Sequence, residues 1–487
     1  MKVAVFSTFV RWTPHFETEL EIIQRHLDAG DTVHHYICNG ELEICDQIID
    51  HRFFEKKNPL INPIKICKQC IAKRKRGSSL LSNTVQEFSV YRFDESLEGV
   101  DLKFTFSSLD ELRDYSIDGY DIGESIASSL ISHTRNPYLN PYDYSELIRR
   151  LFISCYKTYS STLTTLKREI YDVAYVFNGR FSVTRSILRA CQLTGTECLI
   201  HERGSSIHSY ELFRNVTPHD LTYRLNEILR YWEMEPNQDK KIAIGSSFFE
   251  ERAKGIQQSW YPFVNDQEKG LLPPDWDSSK NNIVIFNSSE DEYAAIGKEW
   301  KNPIYDDQLI ALQQILSESL IVNNVKLRLY LRVHPNLKDV DNDYMRGIYA
   351  LDSNKINIIK PESPVSTYDL IKACNNVLTF ASTVGIEAVY WGKPSILAGI
   401  SLCRDLDATY NPASHKELIE MLVSDLPPKD KSKAIIFGYY MKTFGVLFRY
   451  FQAEGVASGK FKGVDLDKNN TPTRFTKIRS ILRHIIR

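Results

Sequence analysis

The sequence predicts an α/β protein in which two series of parallel βα units follow one another along the chain. Short apolar runs, such as Val3–Ser7 and Leu327–Val333, alternate with segments of helical periodicity. Polar residues come directly after several of these runs. A stretch with two prolines at 271–276 separates the two series, as an interdomain linker does. Two α/β domains are therefore expected.

The composition is that of an ordinary globular protein. Its 487 residues allow two or three domains, and 43% are hydrophobic and 25% charged. The 60 basic residues are balanced by 62 acidic ones, which disfavours a nucleic-acid-binding role. The opening MKVAVFSTFV is too short for a signal peptide or a membrane span. We therefore expect a cytoplasmic protein whose nine cysteines are kept reduced.

The first series opens as a βαβ unit. The strand Val3–Ser7 precedes the amphipathic segment FETELEIIQRHLDAG, and TVHHYIC follows as a second strand. This order is expected of a Rossmann-like domain, although no G-x-G-x-x-G is present to indicate dinucleotide binding. We assign residues 1–270 to this domain, with a largely helical insertion at about 55–150.

Two further predicted strands of this domain end in polar residues, DVAYVF before NGR and TECLI before HERG. Glu202 is the candidate general base for an acceptor hydroxyl. Asn178, Arg180 and Arg203 are candidates for holding an anionic acceptor. His15, in the first βα loop, is a second candidate base on the acceptor side. For each of them, a role in a loop hydrogen-bond network is the alternative interpretation.

The second series, assigned to residues 280–428, places Arg332, His334 and Pro335 at the end of its most marked strand. In an open parallel sheet, ligands bind outside the carboxyl ends of the strands. A guanidinium and an imidazole there can neutralise the charge of a departing nucleotide phosphate. Pro335 ends the strand and fixes the turn. The alternative is a solvated strand-end charge beside a histidine bound to a carbonyl.

A second polar group lies between the next predicted strand and a helix that opens near Ile386. Ser382 or Thr383 is expected to cap this helix, and Gly385 to let a ligand approach the backbone, so that an anion can bind. Glu387, one turn later, is a candidate for accepting hydrogen bonds from a ribose. An ordinary capped helix is the alternative. Together the two groups predict a site for a nucleotide monophosphate or diphosphate.

Four cysteines cluster early in the chain: Cys38, Cys45, Cys67 and Cys70. Cys-x-x-Cys is half of a typical zinc site, whereas Cys-x6-Cys is looser than usual ligand spacing. A structural zinc ion and free buried thiols are the two interpretations. Asp-x-Asp triplets at 405–407 and 465–467 do not follow clear strands. No cofactor is expected to be required for catalysis.

Residues 429–487 are predicted to form C-terminal helices and a basic tail. In the tail, Phe475, Ile478, Leu482 and Ile485 share one helical face, and arginines and lysines surround it. Such a helix suits the anionic cytoplasmic surface of an inner membrane, which would make the protein peripherally membrane-associated. Packing of the apolar face on the protein body is the alternative.

The segment from Arg332 to Pro335, followed by SPVSTYDLI and VLTFASTVGIEAVYWGKPSI, resembles bacterial capsule and surface-polysaccharide glycosyltransferases of GT-B architecture. These include Kdo-transferase-type capsule synthesis proteins and, more distantly, CDP-glycerol glycerophosphotransferases and bacterial polysialyltransferases. The resemblance covers roughly residues 280–400. In those groups a His-Pro pair and a Ser/Thr motif hold the phosphate of a cytidine-nucleotide donor, and an acidic residue in the N-terminal half is the base.

The resemblance implies that His334 and Pro335 form the first motif, Ser382 and Thr383 the second, and that Glu202 is the base. Where the polysialyltransferases have a second acidic residue, this chain has Arg203. The implied architecture is two Rossmann-like domains that face each other across a cleft, with the acceptor on the first and the nucleotide sugar on the second.

The implied activity is transfer of a sugar, CMP-linked such as Kdo, to a capsular or surface polysaccharide or glycolipid. One rival is a transferase of CDP-linked polyol phosphate, for which the same phosphate-binding residues would serve. Another is a non-catalytic sugar-binding subunit of a polysaccharide assembly complex, which would bind the donor without turnover.

Overall fold

The computed structural model describes residues 1–49, 63–91 and 103–468. The chain divides into two compact units. Of the described residues, unit 1 contains those within 1–220 and 445–468, and unit 2 contains residues 221–444. Part of the predicted insertion and the whole amphipathic tail lie outside the described residues.

Unit 1 is built on a seven-stranded sheet of mainly buried strands. They are β1 (Lys2–Ser7), β2 (Thr32–Ile37), β3 (Gln86–Ser89), β4 (Val173–Phe177), β5 (Cys198–Arg203), β6 (Ser209–Arg214) and β12 (Val446–Leu447). Their order is β12-β6-β5-β4-β1-β2-β3. The strands β1 to β5 are parallel, and β6 and β12 extend one edge antiparallel. The parallel part has the order 3-2-1-4-5 of a doubly wound fold.

The helices of unit 1 cover this sheet. They are α1 (His15–Asp28), α2 (Pro63–Ser78), α3 (Leu109–Asp114), α4 (Ile122–Thr134), α5 (Ser145–Arg168) and α6 (Ser182–Thr194). In α1, Phe16, Leu20 and Ile23 recur at helical spacing and are fully buried. Helix α6 ends at Gly195, whose positive φ of 71° gives the left-handed cap that glycine adopts most readily.

Unit 2 repeats the same topology in a five-stranded parallel sheet. Its strands are β7 (Asn281–Phe286), β8 (Leu327–Arg332), β9 (Asn357–Ile359), β10 (Asn376–Thr379) and β11 (Ser395–Leu397). The order β11-β10-β7-β8-β9 is again 3-2-1-4-5. The prediction of an α/β chain with two Rossmann-like halves is therefore confirmed.

The helices of unit 2 connect and cover these strands. They are α7 (Leu221–Met234), α8 (Gln238–Ala253), α9 (Glu290–Ala294), α10 (Gln308–Ser317), α11 (Ser319–Val322), α12 (Asp343–Tyr349), α13 (Thr367–Ala373), α14 (Val384–Tyr390), α15 (His415–Val423) and α16 (Lys431–Thr443). Among the described residues, no helix combines the length and apolar character that crossing a membrane requires.

The structure divides the chain differently from the sequence-based boundaries at 270–280 and 428. Helices α7 and α8 belong to unit 2 because they pack on α16. Ile228, Phe249 and Phe437, all buried, belong to the apolar cluster that these helices share. Tyr440 of α16 also accepts a hydrogen bond at its hydroxyl from the Arg224 guanidinium, at 2.7 Å.

After α16 the chain returns to unit 1. The sequence-based assignment missed this return because it placed residues 429–487 in a separate C-terminal region. The hairpin of β13 (Phe451–Gly455) and β14 (Ser458–Phe461) follows this return. The buried Glu21 carboxylate of α1 fixes it by accepting from the backbone N–H groups of Arg449, Tyr450 and Phe451. Three hydrogen bonds to one buried carboxylate make this a strong attachment.

The predicted helical insertion also contributes to the sheet. Strand β3 pairs parallel to β2, with Phe88 opposite Tyr36. Its residues are exposed or half-buried, so its sequence QEFS carries little of the apolar signal by which strands are recognised. The insertion is therefore not wholly helical in its described part.

Candidate functional site

The strand order reverses between β7 and β10 in unit 2 and between β1 and β4 in unit 1. In open α/β sheets the crevice outside the carboxyl ends at such a reversal is where ligands bind. Most candidate residues of the sequence analysis lie at or just after the ends of β4 and β5 in unit 1 and of β8 and β10 in unit 2. We describe the two sets separately and call them the unit 2 edge and the unit 1 edge.

At the unit 2 edge, His334 is held in one orientation. Its backbone N–H donates to the Asn287 side-chain oxygen at 2.8 Å, and its ring Nδ1 accepts from the Asn336 N–H at 3.2 Å. A neutral imidazole that accepts at Nδ1 carries its proton on Nε2. Pro335 begins the short 3-10 helix that presents this ring, as predicted for the turn. His334 is thus a fixed Nε2–H donor.

Arg332 lies at the same edge but has other partners than the predicted phosphate. Its Nη1 donates to the Lys360 carbonyl at 2.7 Å and its Nη2 to the Ser363 carbonyl at 3.1 Å. Only 3% of the residue is exposed, and this burial lowers the pKa of the guanidinium to about 10. The assignment of Arg332 to the donor phosphate is therefore corrected: it holds the loop that follows β9.

Ser382 and Thr383 follow β10 and are both half-buried. The Ser382 hydroxyl accepts from the Val384 N–H at 3.2 Å, and its own hydrogen remains for donation to a ligand. The Thr383 hydroxyl instead donates to the Glu387 carboxylate at 3.2 Å. Of the two predicted hydroxyls, Ser382 is the better placed to bind an anion.

Glu387 does not have the solvent-facing position that ribose binding requires. It is 1% exposed, and its carboxylate accepts from the Tyr368 hydroxyl at 2.5 Å and from the Arg252 Nε at 3.1 Å. Arg252 Nη2 lies 3.0 Å from the same carboxylate. Because these groups and Thr383 occupy the carboxylate, the predicted ribose contact is corrected to a structural anchor for Arg252.

Close packing, rather than the predicted approach of a ligand, explains why residue 385 is a glycine. It is buried, and a Cβ there would lie 2.8 Å from the Thr379 hydroxyl and 3.3 Å from that of Ser395. The missing side chain lets α14 approach β10 and β11 closely. Helix α14 has seven residues.

A cavity of about 770 Å³ lies beside the His334 turn. Its volume is in the range of small-molecule sites. Its lining mixes apolar groups with charged ones: Leu337, Val340, Tyr349, Ile358 and Pro361 with Lys338, Asp339, Lys360 and Glu362. The two carbonyls that Arg332 holds belong to the loop that forms one wall, so the buried guanidinium shapes this cavity.

At the unit 1 edge, the structure brings together the predicted base and two of the predicted acceptor residues. The Asn178 amide donates to the Glu202 carboxylate at 2.7 Å, and the Arg203 N–H donates to it at 3.0 Å. His15 Nδ1 lies 3.7 Å from the same carboxylate, and the His15 ring packs on Phe177 with centroids 3.9 Å apart. Glu202 keeps a fifth of its side chain exposed, which a base that meets a substrate requires.

Asn178 reaches Glu202 because its backbone is left-handed, with a φ of 58°. Asparagine tolerates this conformation better than most residues. The residue itself is 5% exposed. Its amide is therefore directed at Glu202, and the predicted contact with an acceptor is replaced by positioning of the carboxylate.

The two predicted arginines of this edge are bound elsewhere in unit 1. Arg180 donates to the hydroxyls of Ser128 and Ser132, both at 2.9 Å, and stacks on Phe181. Arg203 donates to the Val456 carbonyl at 2.6 Å, which ties β5 to the C-terminal hairpin. These contacts favour structural roles over the predicted binding of an anionic acceptor.

Beneath this edge lie buried titratable groups that the sequence analysis did not single out. Lys73 forms an ion pair with Glu17 at 2.8 Å, and both side chains are almost fully buried. Burial raises the pKa of Glu19 well above its ordinary value and lowers the pKa of His201 to about 4. The Glu19 carboxyl and the His201 ring lie 3.4 Å apart beneath the edge.

The four clustered cysteines are free thiols. Gly40 donates its N–H to the Cys38 sulfur, and a Cβ at Gly40 would lie 3.4 Å from the Cys67 Cβ, so Cys38 and Cys67 are close to each other. Burial raises the pKa of all four thiols, that of Cys70 to about 12. Within residues 1–49, 63–91 and 103–468, no group of three or more metal-binding side chains could hold a metal ion. The zinc interpretation of Cys38, Cys45, Cys67 and Cys70 is therefore not supported.

Two residues of the unit 2 edge were missed, Asn287 and Arg252. Asn287 follows β7, and its position after the apolar run NIVIF was a usable signal. Arg252 comes from α8, far from the motifs in sequence, and only tertiary packing brings it to Thr383. No local pattern could have identified it.

Comparison with protein-family models finds no match, and comparison with curated protein sequences finds none. Solved structures do match. One is Thermosulfurimonas dismutans KpsC, a β-Kdo 2,4 transferase, with 13% identity over 55% of this chain and 79% of that chain, and a TM-score of 0.38. A second is the β-Kdo 2,7 transferase KpsC of the same organism, with 15% identity over 57% and 80% of the two chains and a TM-score of 0.35.

A third matching structure is the UDP-GlcNAc 2-epimerase from Neisseria meningitidis bound to UDP-GlcNAc. It is 13% identical over 90% of this chain and 97% of that chain, with a TM-score of 0.28.

Proposed function

We propose that this protein is a glycosyltransferase that moves a sugar from a nucleotide-sugar donor to a hydroxyl of a surface polysaccharide or glycolipid. The donor is proposed to be CMP-linked, such as CMP-Kdo, from the resemblance of the His-Pro and Ser-Thr motifs. The observation that carries the proposal is the fixed His334 donor at a carboxyl sheet edge that also presents Ser382.

The donor phosphate is assigned to the unit 2 edge. Strands β8 and β10 flank β7, so the residues that follow them are separated by about 10 Å, twice the usual strand spacing. The imidazole Nε2–H of His334 and the hydroxyl of Ser382 would donate to phosphate oxygens. Such donors stabilise the negative charge that develops as the phosphate leaves.

The nucleoside is assigned to the cavity beside the His334 turn. Tyr349 and Pro361 offer flat or apolar surfaces for a base, and lysines and carboxylates can meet its polar groups. The buried Arg332 keeps the wall of this cavity in place. Arg332 thus supports donor binding without touching the phosphate.

The acceptor is assigned to the unit 1 edge, with Glu202 as general base. Glu202 would remove the proton from the acceptor hydroxyl, whose oxygen then forms a bond to the anomeric carbon of the donor sugar. The bond from that carbon to the phosphate oxygen breaks, and its electron pair leaves with the nucleotide. Asn178 holds the base through its amide, and His15 lies beside the carboxylate.

The Asp-x-Asp triplets do not suggest a metal-nucleotide site. Asp407 forms an ion pair with Lys429, and Asp467 lies 3.1 Å from the buried Lys73. We propose that protein donors replace a catalytic metal, so that turnover persists in EDTA.

The test is an assay of nucleotide release with CMP-Kdo, CDP-glycerol and UDP-GlcNAc, each with and without glycolipid acceptors extracted from capsule-producing bacteria. The proposal expects acceptor-dependent release of CMP from CMP-Kdo. Release of CMP from CDP-glycerol would identify the polyol-phosphate transferase instead. Donor binding without release under every condition would favour a non-catalytic subunit and contradict the proposal.

A further inference from the structure

Arg252 lies on the last turn of α8, next to the Ser-Thr motif of the unit 2 edge. Its Nη2 lies 3.5 Å from the Thr383 hydroxyl, and both Nε and Nη2 contact the Glu387 carboxylate. We propose that Arg252, and not Arg332, is the guanidinium that binds the phosphate of the donor nucleotide. This inference rests on the proposed function and assigns its main cationic residue.

The two arginines differ in what they can still reach. Arg332 is buried, and both of its terminal nitrogens donate to backbone carbonyls. The Arg252 side chain is 35% exposed, and among the described residues its guanidinium contacts the side chains of Glu387 and Thr383 rather than backbone carbonyls. A phosphate can approach Arg252 without displacing backbone contacts, whereas binding at Arg332 would release the loop after β9.

Arg252 is also held in place before a ligand arrives. Glu387, at 1% exposure, accepts from Arg252 and from the Tyr368 hydroxyl, and Thr383 donates to the same carboxylate. A fixed guanidinium loses little side-chain entropy when it binds. Its planar array of N–H groups also suits phosphate oxygens.

The neighbouring hydroxyl completes the arrangement. Ser382 precedes Thr383, and its oxygen accepts from the Val384 N–H, which directs the hydroxyl hydrogen away from that amide. A phosphate between Arg252 and Ser382 would receive one charged and one neutral hydrogen bond. Glu387 is in this account a positioning residue, which explains why its carboxylate is buried.

The experiment measures binding of two nucleotide–nucleoside pairs, CMP with cytidine and UDP with uridine, by calorimetry. The nucleoside lacks the phosphate, so the ratio of the two affinities isolates the phosphate contact. Arg252→Gln should lower the affinity for the nucleotide about 10- to 100-fold, the usual range for loss of a charge-assisted hydrogen bond. The affinity for the nucleoside should not change. Arg252→Lys should recover part of the loss.

Two variants control for other effects. Arg230→Gln removes an arginine that pairs with a glutamate on the neighbouring helix α7, and should bind like the wild type. The double variant Arg252→Gln, Glu387→Gln leaves no unpaired buried carboxylate, so its melting temperature should stay near that of the wild type. It should still show the selective loss of nucleotide affinity.

Equal weakening of nucleotide and nucleoside would make Arg252 a structural residue and overturn the inference. Unchanged nucleotide affinity in the double variant would overturn it too, while the proposed function would stand on wild-type binding. Absence of binding of either nucleotide to the wild-type protein would contradict both proposals.

Discussion

The two sheets share one strand order but carry opposite chemistry at their carboxyl edges. The unit 1 edge is centred on the Glu202 carboxylate, which Asn178 and a backbone N–H hold. The unit 2 edge carries an imidazole, a hydroxyl and a guanidinium, those of His334, Ser382 and Arg252. In the proposed mechanism, topology determines where ligands bind, and the side chains at each edge determine whether that edge removes a proton or receives a phosphate.

The largest effect is expected at the carboxylate edge. Glu202→Gln keeps the shape and one acceptor oxygen but cannot take a proton, so kcat should fall about 10²- to 10⁴-fold. Nucleotide affinity should remain that of the wild type because the change lies in unit 1. Steady-state kinetics with binding calorimetry would check this; wild-type turnover in the variant would remove Glu202 from the mechanism.

The second expected effect concerns pH and the buried histidine beneath the same edge. Burial lowers the pKa of His201 from 6.5 to about 4, so the folded state keeps it neutral. As pH falls below 6.5, the unfolded chain binds a proton that the folded chain does not. Unit 1 should therefore lose about 2–3 kcal/mol of stability from this group between pH 6.5 and 4.5.

Chemical denaturation of the wild type and of His201→Gln at pH 7 and pH 4.5 would measure this loss. The variant should show a smaller drop, since glutamine binds no proton. His208→Gln, which changes an exposed histidine, serves as the control. Equal drops in the wild type and in His201→Gln would show that His201 does not produce the pH dependence.

The smallest effect is expected from the residue that positions the base. Asn178→Gly removes the amide that donates to Glu202 while keeping the left-handed backbone accessible, so kcat should fall about 10-fold, as loss of one hydrogen bond of 1–2 kcal/mol implies. The KM for the donor should not change. Asn215→Gly, at another asparagine with a φ of 57°, controls for backbone effects. A similar fall in kcat in both variants would indicate a general structural effect.

The sequence alone was sufficient to predict which polar residues lie at the carboxyl ends of strands. Apolar runs mark β4, β5, β8 and β10, and the polar residues after them reach the expected edges. Residue types alone could not predict which of these polar side chains would bind other protein groups instead of a ligand. Arg332 and Glu387 are both buried with protein partners, because their roles depend on loops and helices that pack from elsewhere in the chain.

Long-range packing explains the other differences. Helix α8 joins unit 2 through contacts with α16, about 190 residues later in the sequence numbering. Strand β3 is short and half-exposed, so its pairing depends on β2 rather than on its own apolar character. Neither interaction has a local signature.

The most direct test of the division between the two edges is a thermal-shift panel of CMP, CDP, UDP, GDP and ADP with the wild type, His334→Ala and Glu202→Gln. A ligand that binds only the folded state raises the melting temperature, and the rise grows with the logarithm of the ligand concentration divided by its dissociation constant. We predict stabilisation by a cytidine nucleotide in the wild type and in Glu202→Gln, and loss of that stabilisation in His334→Ala. Retained stabilisation in His334→Ala, or its loss in Glu202→Gln, would contradict the assignment of the donor to the unit 2 edge.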